Sequence, residues 1–267
     1  MKNILLMVHD DDGQEARLQA ALDAVRAIDG HLTCVDVIQT PQLIGDYYTT
    51  YGGVTLLADE LDHEAAHREA IEQRLVHEDV RWSWARSGAD MAEGVVRASA
   101  FADLIVLNRR LETSGLPDMQ KIVDLVLLQA HKPVLAVPEG LKRFDIGGRA
   151  LVAWDGSYPA LATMRACVPL LKLAADVRLF SVDNGSHKTS AEAAAEYLSR
   201  HGIFANVRHI FDNTHNVDEL IVEECVNWGA SWCLMGAYGH SHLAERLFGG
   251  VTRRMLAASR IPLVLGH

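Results

Sequence analysis

Ala150-Leu151-Val152-Ala153-Trp154-Asp155-Gly156-Ser157 is an apolar run of strand length that reaches an aspartate. The chain opens in the same way, with Ile4-Leu5-Leu6-Met7-Val8-His9-Asp10. Behind each run, apolar residues recur at helical spacing. They are Leu18, Ala21, Leu22 and Val25 in one case, and Leu161, Met164, Cys167, Val168 and Leu171 in the other. The chain therefore reads as two copies of one unit.

The rest of the chain repeats in the same order. Strand-like residues 32–37 answer to 177–183, and 80–84 to 205–210. Helical patterns over 91–100 and 217–228 precede short apolar strands at 104–107 and 232–235. Each copy ends on a proline-led apolar run, from Pro133 and from Pro262. The spacing between copies falls from 145 residues (Asp10 to Asp155) to 129 (Pro133 to Pro262), so the first copy is longer in its middle. The excess lies around Gly45–Gly53, where Tyr47, Tyr48 and Tyr51 cluster, and in the charged helix that follows. That cluster fits a surface loop and equally a lid or partner contact. Residues 139–148 join the copies, with Gly147-Gly148 as a breaker.

Strands alternating with helices predict parallel βαβ units with right-handed crossovers. The expected fold is α/β: two tandem, doubly wound, five-stranded parallel-sheet domains over 1–143 and 148–267. Ligands of such sheets bind beyond the carboxyl ends of the strands. Asp10, Asp155 and the segment after Met235 sit there.

Composition narrows the function. The 267 residues are 49% hydrophobic and 22% charged, as in globular chains. The net charge of −10 is carried by residues 1–145, with 24 acidic and 14 basic side chains against 11 and 11 in the remainder. Neither half is basic, which argues against nucleic acid as a partner. No apolar run approaches the ~18 residues of a membrane span. Residues 1–10 predict no signal peptide. Cys34, Cys167, Cys225 and Cys233 form no CxxC pair and read as buried thiols of a cytoplasmic protein.

The chemistry is concentrated after the fourth strand of the second copy, in Gly236-Ala237-Tyr238-Gly239 followed, after nine residues, by Gly249-Gly250-Val251-Thr252. Glycines allow close backbone approach to a ligand. A helix starting at Gly250 or Val251 aims unpaired N–H groups at an anion, and the Thr252 hydroxyl adds a donor. A tight turn alone is the plainer alternative. The first copy has Asn108-Arg109-Arg110-Leu111 in this place, without the glycines. It is expected to lack a nucleotide cradle, with Asp10 as a strand-end cap and Arg109 and Arg110 as a solvated pair.

With its Gly-x2-Gly-x9-Gly spacing, the chain resembles a tandem universal stress protein. Phrases such as 153–157 and 30–33 share that character. Gly250 stands where the family has Ser or Thr. The resemblance implies a Rossmann-like fold of the adenine nucleotide alpha-hydrolase group, which binds ATP in one branch of the family. It maps nucleoside contacts onto Trp154, Asp155 and Val182. The ribose and phosphates map onto Met235, Gly236, Tyr238, Gly239, Gly249, Gly250, Val251 and Thr252. Mg²⁺ would bridge phosphate oxygens. It also implies pairing of final strands, here within one chain as a pseudo-dimer, with a homodimer of chains as a further expectation.

Other candidates are weaker. His240, His242, His209 and His215 lack zinc-ligand spacing. Ser157 lacks a nucleophile elbow and reads as a helix N-cap. Trp82 and Trp84 read as packing, and Asp10-Asp11-Asp12 as a helix-start cluster. The expected function is an ATP-binding stress-response sensor or adaptor with one competent site, in the second domain. No catalytic base is evident, so it is at most a slow ATPase. The alternative is an interaction protein, independent of nucleotide, that docks a partner through its acidic first half.

Overall fold

A computed structural model describes residues 1–37, 52–85, 91–114, 117–183, 189–212, 214–239 and 250–267, with backbone alone for 52–63 and 183. The first half runs β1 (Asn3–Val8), α1 (Gln14–Ile28), β2 (His31–Asp36), α2 (Gly52–Val76), β3 (Arg81–Ala85), α3 (Met91–Ala98), β4 (Leu104–Asn108), α4 (Met119–Ala130) and β5 (Val134–Val137). The second runs β6 (Arg149–Ala153), α5 (Tyr158–Ala166), α6 (Val168–Leu171), β7 (Asp176–Asp183), α7 (Ala191–Arg200), β8 (Asn206–Phe211), α8 (Val217–Trp228), β9 (Trp232–Gly236), α9 (Gly250–Ala258) and β10 (Leu263–Gly266). The tyrosine cluster and His240, His242 and Gly249 lie outside the described residues.

Local chemistry sets several of these boundaries. Ser157 is the expected N-cap: its hydroxyl accepts from the Ala160 N–H at 3.3 Å, with Pro159 in the first turn. Ser190 and Asp118 cap α7 and α4 in the same way. α3 stops short of the predicted residue 100 and tightens into a single 3-10 turn over Ser99–Phe101.

All ten strands form one sheet, in the order β3-β2-β1-β4-β5-β10-β9-β6-β7-β8. Neighbours within each half are parallel. The final strands meet antiparallel, Leu263 opposite Ala136 and Leu265 opposite Val134. This seam covers two edges that would otherwise be open to other chains. Alternation along the strands feeds two cores. Ile4, Leu6 and Val8 join a core that also takes residues of α1 and α5, whereas Leu5 and Met7 join one that takes residues of α4 and α9. Both cores run across the seam. Trp82 and Trp84 pack against the first of them, as expected.

The ladders also align the halves residue by residue. Ile105 lies opposite Val134 as Cys233 lies opposite Leu263. Leu5 lies opposite Ile105 as Leu151 lies opposite Cys233. Followed upward, this register puts His9 at the position of Asp155 and Asn108 at that of Gly236. Matching the halves through Asp10 and Asp155 is one residue out, because β1 runs one residue further from its ladder before the first aspartate.

Candidate functional site

The second half brings most of the expected residues to one end of the sheet. β9, β6 and β7 are neighbours, with Ala153 opposite both Met235 and Phe180. Asp155 and Val182 each follow that rung by two residues, at the same end of the sheet. Trp154 is buried; its N–H donates to Phe180 O at 2.8 Å and its indole to Thr189 O at 2.9 Å. It forms a wall, and Asp155 is exposed beyond it. The Asp155 carboxylate accepts from the Ser157 N–H at 3.0 Å, across Gly156 in the left-handed region at φ 68°.

The glycine segment packs against this turn. A Cβ on Gly236 would lie 2.5 Å from the Ala160 nitrogen, so the end of β9 touches the first turn of α5. A Cβ on Gly239 would lie 3.0 Å from Ser157 Oγ and 3.8 Å from Asp155 Oδ2. Asp155, Ser157 and the exposed Gly239 backbone thus converge. Met235 is buried below them. Tyr238 takes a left-handed φ of 59°, costly for an aromatic residue. The described part of α9 runs from Gly250; Val251 is half-buried and Thr252 buried.

Two residues of this region escaped sequence reasoning. A Cβ on Gly250 would meet Arg254 Nη1 at 2.7 Å. The Arg254 guanidinium therefore folds back to the amino end of its own helix. The buried Asp218, in the first turn of α8, holds it there through Nε and Nη2, each at 2.6 Å. The signal was present: an arginine four residues after the glycine lies on the same helix face.

The corresponding place in the first half is filled by its own side chains. Arg17 is fully buried at the carboxyl ends of β1 and β4. Its Nε donates to Met7 O at 3.2 Å, and its Nη2 to His9 O at 3.0 Å and Gln14 Oε1 at 2.8 Å. Nη1 and Nη2 bind the Asp11 carboxylate at 2.8 and 2.9 Å, and Nη1 also donates to Asn108. Asp11 is thus an arginine partner more than a helix-start charge. His9 Nδ1 lies 2.8 Å from the buried Glu64 of α2, and His67 of the same helix approaches Asp10 at 3.6 Å. Arg109 corrects a further expectation. It is buried, not solvated, and its Nη1 donates to Leu256 O and Ala257 O of the other half, each at 2.9 Å. Burial lowers its pKa, opposed by Glu112. Arg110 is the exposed member of the pair.

The remaining candidates take structural partners. His209 pairs with Glu192 at 2.6 Å and His215 with Asp212 at 2.8 Å. The hydrogen bond to Asp212 raises the His215 pKa. All four cysteines are buried free thiols. Burial pushes Cys34 and Cys167 up to about 12. Among the described residues, no group of three or more His, Cys, Asp or Glu gathers to hold a metal ion. Nor is any described helix long and apolar enough to cross a membrane.

No family model matches the chain. It is 26% identical over 176 residues to universal stress protein Slr1230 of Synechocystis sp., which covers 61% of this chain; the match spans 57% of that relative's own length. A universal stress protein from Archaeoglobus fulgidus DSM 4304 shares the fold, with a TM-score of 0.77 over 99% of this chain and 95% of its own at 15% identity. A functionally unknown protein, PA1789 of Pseudomonas aeruginosa PAO1, follows at 0.65, covering 100% of this chain and 92% of its own at 16% identity. The chain is thus similar in sequence to a universal stress protein over 176 residues and shares the fold of a solved universal stress protein.

Proposed function

We propose that the chain is a cytoplasmic stress-response protein that binds one adenine nucleotide, as MgATP, in a second domain over 148–267. Residues 1–143 form a first domain without a cradle. One contrast carries this reading. In the second half Asp155, Ser157 and the Gly239 backbone converge on exposed strand ends, whereas Arg17 and its partners fill the same place in the first. Asp155 and Val182 would take the nucleoside. Gly236, Tyr238, Gly239, Gly249, Gly250, Val251 and Thr252 would line the ribose and phosphates, with Trp154 and Met235 as the floor.

The phosphates would meet the N–H groups that open α9 and, beside Gly250, the Arg254 guanidinium. Mg²⁺ would ride on phosphate oxygens, since the described residues offer no carboxylate cluster for it. The protein would hold nucleotide and change its surface with occupancy, turning it over slowly or not at all. A homodimer of chains would extend the internal pseudo-dimer.

Calorimetric titration of MgATP into the full chain tests this, beside Gly239→Glu. Binding near one per chain, lost in the variant, is the expected result. Two per chain would refute the closed first half. Absent heat would refute the nucleotide reading and favour partner docking through the acidic first half.

A further inference from the structure

The first half is closed to a nucleotide of its own, yet it grips both flanks of the glycine segment of the second. Among the described residues, hydrogen bonds of Asp124, Gln120 and Arg109 cross the seam on the α4–α9 face. The Tyr238 hydroxyl donates to Asp124 of α4. Gln120 of α4 donates to Arg253 O at 3.2 Å. Arg109 binds Leu256 O and Ala257 O at 2.9 Å. The first contact holds the segment at its start; the second meets α9 in its first half and the third near its end.

Tyr238 is held most firmly. Its ring lies edge-on to His267, with centroids 6.1 Å apart, and His267 stacks on His131, the residue that ends α4, at 6.5 Å. His267 Nδ1 lies 3.1 Å from Ala237 O. The left-handed backbone of Tyr238 is unfavourable for a residue with a Cβ and persists only where its surroundings impose it. That conformation sets the direction of the next peptide, Tyr238–Gly239, and so the placement of Gly239 beside Ser157 and Asp155. Released, Tyr238 would relax to negative φ and turn that peptide away.

We propose that Asp124 is a positioning residue for the nucleotide site: the first domain, through its bond to Tyr238, sets the affinity of the second. The proposal rests on the nucleotide reading above. It gives the first half a task that does not require a ligand of its own.

The test is calorimetric titration of MgATP into the full chain carrying Tyr238→Phe, Asp124→Leu, both together, or Asp124→Asn. Each of the first two removes the one bond and is expected to weaken MgATP about tenfold. The double variant is expected to bind no more weakly than either single one, because both act through the same contact. Asp124→Asn keeps an acceptor for the hydroxyl and is expected to bind within about twofold of the unaltered chain. Stoichiometry stays at one throughout. Tyr238→Phe loses a single oxygen, so the test stands even where Asp124→Leu does not fold. Tyr238→Phe binding like the unaltered chain would overturn the proposal, as would additive losses in the double variant, which indicate two unrelated packing effects. An unaltered chain that takes up no nucleotide overturns the nucleotide reading itself, and the positioning role with it.

Discussion

Arg254 Nη1 stands 2.7 Å from the point a Gly250 side chain would occupy, so the glycine and the arginine are one arrangement. Where the family motif calls for a hydroxyl, this chain has a cation with two of its nitrogens fixed on buried Asp218. A guanidinium suits a chain of phosphates better than a single hydroxyl does. Arg254→Gln should therefore weaken MgATP about tenfold while changing adenosine by less than about twofold. Parallel titrations with the two ligands would decide it; equal losses for both would remove Arg254 from the phosphate end.

Gly250→Ser restores the family residue but places a Cβ against the guanidinium. Because the obstructing atom is the far end of a flexible side chain, the fold should survive, with a melting midpoint within about 2 °C of the original. The displaced arginine should cost MgATP affinity, so the variant should bind more weakly than the parent despite the matched motif. Tighter binding would show that the hydroxyl outweighs the cation.

The first half should depend on Arg17. Replacing it with Met leaves the Asp11 carboxylate buried without its partner, a change worth about 3–5 kcal/mol. For a chain of this size the melting midpoint should fall by about 10 °C. No second nucleotide should bind, since the glycines are still absent. Recovery of two sites in Arg17→Met would mean that the arginine alone keeps the first half closed.

The cysteines should be silent in the native state. With Cys34 and Cys167 held at about 12, almost no thiolate forms at pH 8. A thiol reagent should find none of the four until denaturant is added, and then all of them. Rapid labelling before unfolding would contradict the burial.

His215 titrates late because its charged form is hydrogen-bonded to Asp212. The associated stabilisation is present below the ordinary imidazole pKa and disappears as pH rises through the raised one. His215 is exposed and Asp212 half-buried, so the effect is screened by salt. Proton NMR should find the His215 pKa above about 6.5 at low ionic strength. It should return toward that value in Asp212→Asn.

Much of this was legible in residue order. Apolar runs of period two, separated by helical patterns, specify parallel βαβ units because each element must bury one face. The duplication, the five strands of each half and the Ser157 cap follow from local chemistry, which acts over a few residues and leaves its mark in sequence. What sequence left undecided depends on groups far apart in the chain. Arg109 reads as a loop arginine until the seam brings the carbonyls of Leu256 and Ala257 to it. Arg17 reads as one more polar helix residue until Asp11, Gln14 and Asn108 surround it. The correspondence of His9 with Asp155 depends on ladder register, which hydrogen bonds between strands fix and an aspartate count does not. Periodicity records which face of an element is buried; the partner of a buried charge is chosen only when the sheet closes and the charge, cut off from water, must find one.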